Sequence, residues 1–243
     1  MYSLISKKTG KIYKVREGIE YHCKEGKISK EDIESGNKIV KSNKGTEFLV
    51  TKANPYDIRS KIKRGPQILI EKDLGYIIAR TGVDKNSFIV EAGGGSGAGT
   101  TFFSKFVEKV HSYEERENFI EIIKENIDLL GGEDNVKIFN KKIEDGIENE
   151  ENVDLLFLDL PQPWEVLEKN LDAIKDGKYI VCYLPSMLQI HKVVEKTLDD
   201  DRLHLEEINE VNIREWIGKE KVLRPENKKE IDFTAFLVFI RKL

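Results

Sequence analysis

Two short segments hold the residue types from which a chemical site can be built: Phe88-Ile-Val-Glu-Ala-Gly-Gly-Gly-Ser-Gly97 and Leu158-Asp-Leu-Pro-Gln-Pro-Trp164. The first reads as a buried strand running into a glycine turn, with Glu91 two positions before Gly93. Gly93, Gly95 and Gly97 permit positive φ and let a ligand lie against the backbone. Ser96 sits between the last two, and the helix N-terminus that follows favours a carboxylate or phosphate. Such a loop suits S-adenosylmethionine or a dinucleotide, and Gly93-x-Gly95-x-x-Ala98 matches a relaxed dinucleotide fingerprint. Glu114 ends the next expected strand, where a carboxylate accepts the ribose hydroxyls of an adenosine. The competing reading, an acid in the first turn of the following helix, fits Glu115 better.

The second segment decides between the two ligands. An acid that follows Leu155-Leu-Phe-Leu158 in a buried strand is costly without a partner. Asp159 is therefore read as an acceptor for the exocyclic amine of a flat, nitrogen-containing substrate, beside the methyl donor. Pro161 and Pro163 stiffen a loop that cannot continue as strand. Trp164 either stacks on a base or wedges two helices apart. No His–Asp pair suited to hydride chemistry is apparent, so a nicotinamide dehydrogenase ranks last.

These residues need a scaffold that brings strand ends together. From residue 65 onward, expected strands at Ser87–Glu91, Lys109–Tyr113, Val136–Phe139, Asp154–Leu158 and Tyr179–Tyr183 alternate with helical patterns. Phe102, Phe103, Phe106, Val107 and Val110 recur at three and four, as do Phe119, Ile122, Ile123 and Ile127. The alternation predicts an α/β fold, a mostly parallel sheet with helices on both faces. Leu203–Ile213 and Phe233–Ile240 read as a terminal antiparallel strand pair, the arrangement of a Rossmann-like methyltransferase. Residues 1–64 hold short β-type runs, such as Lys11–Val15 and Gly45–Val50, set off by Gly, Asn, Ser and Lys. They predict a small all-β domain, followed by a catalytic domain over 65–243.

Charge divides the chain in the same place. Residues 1–64 carry 16 Lys/Arg against 8 Asp/Glu, and the remainder 24 against 36. A basic segment on an acidic chain is a footprint for a polyanion, or simply a solvated lysine surface. Lys61, Lys63 and Arg64 share that ambiguity. Charged residues make up 35% of the chain, above the ~25% of typical soluble domains. The Lys/Glu share of that excess is the bias of hot environments. No run approaches the ~20 apolar residues that span a bilayer, and the start lacks a signal-peptide pattern. No membrane association and a cytoplasmic setting are expected. Cys23 and Cys182, and His22, His111, His191 and His204, lack ligand spacing, so no metal is expected.

Taken in order, several motifs resemble a known family. They are Arg64-Gly-Pro-Gln67 with Lys72-Asp-Leu-Gly-Tyr76, Val90–Gly97, Ser112-Tyr-Glu-Glu-Arg116, Leu158–Trp164, and Tyr183-Leu-Pro185 with Gln189. Arg214-Glu-Trp216 and Arg224-Pro225 follow. The family is the tRNA (adenine-N1)-methyltransferase of archaea and bacteria, which modifies adenine in the T loop. The resemblance implies S-adenosyl-L-methionine as cofactor, tRNA as partner, a homotetramer, and a small β domain before a Rossmann-like one. It places Gln67 and Gly93–Gly97 around the methionine part of the donor, Glu114 on its ribose, and Asp159 and Tyr183 at the target base. Glu91, Ser96 and Asp159 complete the donor side; Pro161, Trp164, Lys61, Lys63 and Arg64 are the substrate-side residues. Three positions depart from the pattern. Lys142 stands where an acid usually meets the donor's adenine, Phe233 replaces a histidine before Thr-Ala-Phe, and Gly94 is often threonine. A methyltransferase on another substrate, or a non-catalytic RNA-binding subunit of the same fold, are the alternatives.

Overall fold

Short β-type runs punctuated by glycine form the beginning of the chain. The computed structural model describes residues 1–54, 62–63, 69–129, 134–147, 152–219, 222–226 and 233–243. They fall into two units, Met1–Ile62 and Lys63–Leu243. In the first, strands β1 (Tyr2–Ser6), β2 (Ile12–Val15), β3 (Tyr21–Cys23), β4 (Gly26–Ile28), β5 (Ile39–Lys41) and β6 (Glu47–Lys52) occur in that order. An antiparallel sheet runs β2-β1-β6-β5, and β3 and β4 make a separate hairpin. Leu4, Val15, Ile28, Ile33, Val40 and Phe48 form its core. One helical turn, Lys30–Glu34, interrupts the β pattern. Its cause is local: the Ser29 hydroxyl accepts from the Asp32 amide at 3.0 Å, a cap that starts a helix wherever the next apolar residue can turn inward, as Ile33 does.

The second unit is built on β7 (Phe88–Ala92), β8 (Lys109–Tyr113), β9 (Val136–Phe139), β10 (Val153–Leu158), β11 (Ile174–Leu184), β12 (Leu203–Glu210), β13 (Trp216–Lys219), β14 (Val222–Pro225) and β15 (Phe236–Lys242). Seven of these make one sheet in the order β12-β15-β11-β10-β7-β8-β9. The pairs from β11 to β9 are parallel, and β15 runs antiparallel to β11 and β12. Beyond β9 the chain returns to the other side of β7, so the order reverses between β7 and β10. That reversal opens a crevice beyond the carboxyl ends of the strands.

Period-two alternation explains why the central strands are apolar throughout: both of their faces are covered. Val90, Leu156, Leu158, Ile180 and Cys182 pack toward Val193 and Leu167. Ile89, Leu155, Phe157, Val181 and Tyr183 pack toward Leu74, Ile77 and Phe103. Helices Glu71–Thr81, Ala98–Ser104, Glu117–Leu129 and Met187–Leu198 supply most of the cover. The apolar pattern through Val110 overruns its helix, which stops at Ser104. Asn135 ends it from outside, its amide donating to the carbonyls of Ser104 and Val107 at 3.0 and 2.8 Å, so that carbonyls at the helix end and in the turn beyond it find partners. The terminal pair is shorter than its apolar pattern, with last partners Glu210 and Phe236. The hairpin β13–β14 stands between the two strands. Among the described residues no helix is long and apolar enough to cross a membrane.

Asp154 ties the amino ends of three sheet strands. Its carboxylate accepts from the Phe88 amide at 3.0 Å, Lys175 Nζ at 2.8 Å and Lys178 Nζ at 3.2 Å. Burial alone would raise this carboxyl, but Lys175, the Phe88 amide and Lys178 outweigh it and hold it below its ordinary value. A depressed carboxylate contributes stability above its unfolded pKa and loses it as pH falls through the folded one. Asp154→Ala is expected to cost about 1–3 kcal/mol at neutral pH, because the buried Phe88 amide loses its acceptor. Denaturant titrations of both proteins should show that gap narrowing below pH ~4.

Candidate functional site

Register alone assembles the site. Ala92 pairs with Tyr113 on one side and Leu158 on the other, and Leu158 pairs with Cys182. The next residues, Gly93, Glu114 and Asp159, therefore lie in one row with Tyr183 at the sheet's carboxyl edge. The Asp159 amide donates to the Ala92 carbonyl at 2.9 Å, and the amides of Gly93 and Gly94 donate to the Tyr113 carbonyl at 3.0 and 3.1 Å. Gly93 has φ +89°, and a Cβ there would fall on the Asp159 carbonyl. Gly97 caps the helix Ala98–Ser104 with φ +75°, tight against Ile123. Only glycine fits this turn at those two positions.

Three carboxylates converge here, each in a different state. Glu91 is fully buried; one oxygen accepts from the Thr100 hydroxyl and from Ser112 Oγ at 3.0 Å. Its other oxygen has no hydrogen-bond partner among the described residues. Burial, only partly offset by those two hydroxyls, pushes it up to about 7. Glu91 props the turn from behind, lying where a side chain on Gly99 would stand.

Glu114 is held the opposite way. Its Oε2 accepts from the Gly95 amide at 2.9 Å and Arg116 Nη2 at 3.0 Å; its Oε1 accepts from the Arg116 amide at 3.0 Å and Nε at 2.8 Å. Burial would raise it, but the Arg116 hydrogen bonds dominate and lower it. Asp159 keeps partial exposure to the crevice, and no described side chain or amide donates to its carboxylate. Burial pushes it up to about 7, with Arg116 pulling it down and Glu114 pushing it up. Burial likewise raises the Tyr183 phenol well above its ordinary range.

The crevice that these groups share has a volume of about 550 Å³. Gly93–Ser96, Glu114, Arg116, Lys142, Asp159, Pro161 and Tyr183 line it, with Gln189 and Leu69 on the walls. Thus Gly93, Gly95, Ser96, Glu114, Lys142, Asp159, Pro161 and Tyr183 come together as the sequence suggested. Glu91 and Gly97 stand behind the wall. Trp164 packs against the core, with Lys192 Nζ 4.6 Å above its ring. Lys142 reaches Glu115 at 3.3 Å on the exposed lip. Lys63 is paired with Glu125, and its backbone amide and carbonyl are both bound by Asn126 at 2.9 and 3.0 Å. Lys61, Arg64 and Gln67 lie outside the described residues. Among the described residues no cluster of three or more His, Cys, Asp or Glu could hold a metal.

Several contributors carry no role in the motif reading. Asn126 is buried and joins the loop to its surroundings, donating to the Ser96 carbonyl at 2.8 Å. Arg116 is the guanidinium on the glycine-side acid. Lys72, Asp73 and Thr234 surround the Tyr183 hydroxyl. Arg116, Lys72 and Asp73 belong to the quoted motifs, so their positions were visible; an isolated Asn on a helix gives no signal.

A glycine turn beside an acid-ended strand is shared by many methyltransferases, so comparison with known proteins narrows the class. Residues 55–234 match the model of the family tRNA methyltransferase complex GCD14 subunit. The chain is 34% identical to the tRNA (adenine(57)-N(1)/adenine(58)-N(1))-methyltransferase TrmI of Methanocaldococcus jannaschii, over 99% of this chain and 94% of that one. The crystal structure of tRNA (m1A58) methyltransferase TrmI from Aquifex aeolicus superposes with a TM-score of 0.82 at 26% identity, covering 100% of this chain and 96% of the other. A SAM-dependent O-methyltransferase from Thermotoga maritima gives 0.85 at 25% identity, covering 100% and 92%. The fold alone would leave the family open, but a family match that spans the glycine turn, Glu114, Asp159 and Tyr183 does not: this chain belongs to the GCD14 family of tRNA methyltransferase subunits.

Proposed function

We propose that this protein transfers a methyl group from S-adenosyl-L-methionine to N1 of an adenine in the T loop of tRNA, at position 58 and, as in the M. jannaschii relative's name, also at 57. One observation carries the reading: the Asp159 carboxylate faces the crevice beside the glycine turn with no donor among the described residues. The crevice suits the donor, because Gly93–Ser96 line it with backbone and Glu114 stands at the strand end where ribose hydroxyls are received. Gly93, Gly95, Ser96 and Gln67 would hold its methionine part, with Lys142 at the adenine edge. The donor supplies an electrophilic sulfonium methyl, and adenine N1 attacks it through an in-plane lone pair as the carbon–sulfur bond breaks.

No base is needed to prepare that nitrogen, so the protein's work is alignment and charge. Asp159 accepts from the exocyclic amine and opposes the positive charge that grows on the ring. A base buried in folded tRNA must be flipped out to reach it, and Tyr183 offers a ring to receive it. Pro161 stiffens the loop between them. All four lone-pair positions of Glu114 are taken, three of them by Arg116. Ribose hydroxyls can bind Glu114 only if the Arg116 side chain swings away. The basic character of residues 1–64, with Lys61 and Arg64, suits the phosphate backbone of tRNA. A homotetramer and a cytoplasmic setting complete this reading. The cation at Lys142 favours a second one, a non-catalytic subunit that binds RNA without using the donor.

Incubation with unmodified tRNA transcript and radiolabelled donor, followed by nucleoside analysis, is expected to give 1-methyladenosine. Donor binding without label in tRNA would point to another acceptor; no donor binding would favour the non-catalytic subunit. Asp159→Ala should bind the donor in calorimetry and lose about 10²–10³ in kcat; full activity would sink the assignment. Asp159 must be ionised to act, and its carboxyl lies near 7. Activity should therefore rise through neutral pH, and that limb of kcat/KM against pH should vanish in Asp159→Asn. Arg116→Ala removes the competitor for Glu114, and calorimetry should show donor binding strengthened several-fold.

A further inference from the structure

Behind the crevice lies a polar cluster in the apolar layer between the sheet and the helix Glu71–Thr81. Lys72 and Asp73 come from the first turn of that helix, Thr234 leads into β15, and Val211 follows β12. Lys72 Nζ donates to Asp73 Oδ1 at 2.6 Å, to Thr234 Oγ1 at 2.7 Å and to the Val211 carbonyl at 2.7 Å. Its three protons are all placed. Asp73 Oδ2 accepts from Thr234 Oγ1 at 2.8 Å and from the Tyr183 hydroxyl at 3.3 Å. Asp73 is fully buried, and the Lys72 side chain is 5% exposed. Of this cluster only Tyr183 lines the crevice.

A buried ion pair is weak evidence for stability, because apolar residues of similar volume often replace it at no cost. What apolar residues cannot do is hold a phenol by its hydroxyl. Alternation along β11 turns Tyr183 to the same face as Tyr179 and Val181, toward that helix. Its hydroxyl is thereby committed to Asp73, away from the crevice, and only the ring is left to meet a substrate. Three chain segments far apart in sequence fix that one ring.

We propose that Asp73, itself held by Lys72 and Thr234, is a positioning residue: it anchors the Tyr183 hydroxyl so that the ring is set as a rigid platform for the flipped base. Tyr183 then contributes a surface and takes no part in proton transfer. The base-platform half of this inference rests on the tRNA methyltransferase reading; the anchor itself does not.

The test compares wild type, Asp73→Asn, Tyr183→Phe and the double variant. Steady-state kcat and KM are measured with unmodified tRNA transcript, donor affinity by calorimetry, and the Tyr183 environment by fluorine NMR of protein made with 3-fluorotyrosine. Each single variant should lose about tenfold in kcat with donor affinity unchanged, and the double variant should lose no more than either alone. The Tyr183 resonance, identified by its absence in Tyr183→Phe, should shift and broaden in Asp73→Asn. Multiplicative losses, or wild-type kcat in either single variant, would overturn the proposal. So would an unmoved resonance, and that readout stands even if the wild type methylates no tRNA, an outcome that defeats the parent reading alone. Should Asp73→Asn fail to fold, Lys72→Met with Asp73→Leu keeps the volume, removes the anchor and takes its place.

Discussion

Everything at this site depends on how closely the backbone of Gly93 lies against the carbonyl of Asp159. Parallel pairing of β7 with β10 brings the two strand ends together at the point where sheet order reverses. The Asp159 amide then closes on the Ala92 carbonyl, and no side chain fits between. Since β8 and β11 continue the same register outward, pairing alone brings the backbones of Glu114 and Tyr183 to the same edge. A shift of one residue in that pairing would turn every side chain to the opposite face.

The electrostatics follow from this crowding. Glu91, Glu114 and Asp159 stand at one end of a sheet whose neighbours are apolar, where like charges raise one another and burial raises all three. Arg116 neutralises only one of them. It saturates Glu114, and Glu91 and Asp159 are left near neutrality in their titration. The two raised acids still differ in what they can do. Glu91 is sealed behind the loop among hydroxyls and props the turn, whereas Asp159 opens to the crevice with no donor among the described residues. Exposure to the crevice, rather than the size of the shift, separates the two.

Departures from the family pattern find a physical place around the same crevice. Lys142 is on the lip, more than half exposed and balanced by Glu115, so it adds no buried unpaired charge to the crevice. Phe233 is 41% exposed and packs its ring 4.9 Å from Phe236, so an aromatic surface replaces a titratable one at the start of β15. Thr234, its neighbour, turns inward to the Asp73 cluster. The same short segment thus shows one residue to the solvent side and commits the next to holding the site.

Much of this molecule was legible locally. The run Leu155-Leu-Phe-Leu158 before Asp159 announces a strand end, because a charge after four apolar residues is a signal within one window, and glycines after Phe88–Ala92 announce another. The strands Lys109–Tyr113 and Val136–Phe139 were read to the residue, since apolar composition and turn neighbours agree there. Where the reading ran past the structure, at Val110 and Ile213, an ending was imposed from elsewhere: Asn135 stops one helix, and the last partner in β15 stops one strand. The short helix after Ser29 hid among β-type runs because its cap is a single serine. What the sequence by itself determined, then, was which residues stand at the ends of strands and what chemistry they could do. Only the tertiary structure decided what each end group faces: Glu91 sealed, Glu114 held by Arg116, Asp159 open to the crevice, and Tyr183 tied to an aspartate 110 positions away. Strand ends are set by interactions within a few residues, whereas a carboxylate's partner is set by packing between segments that share no local pattern.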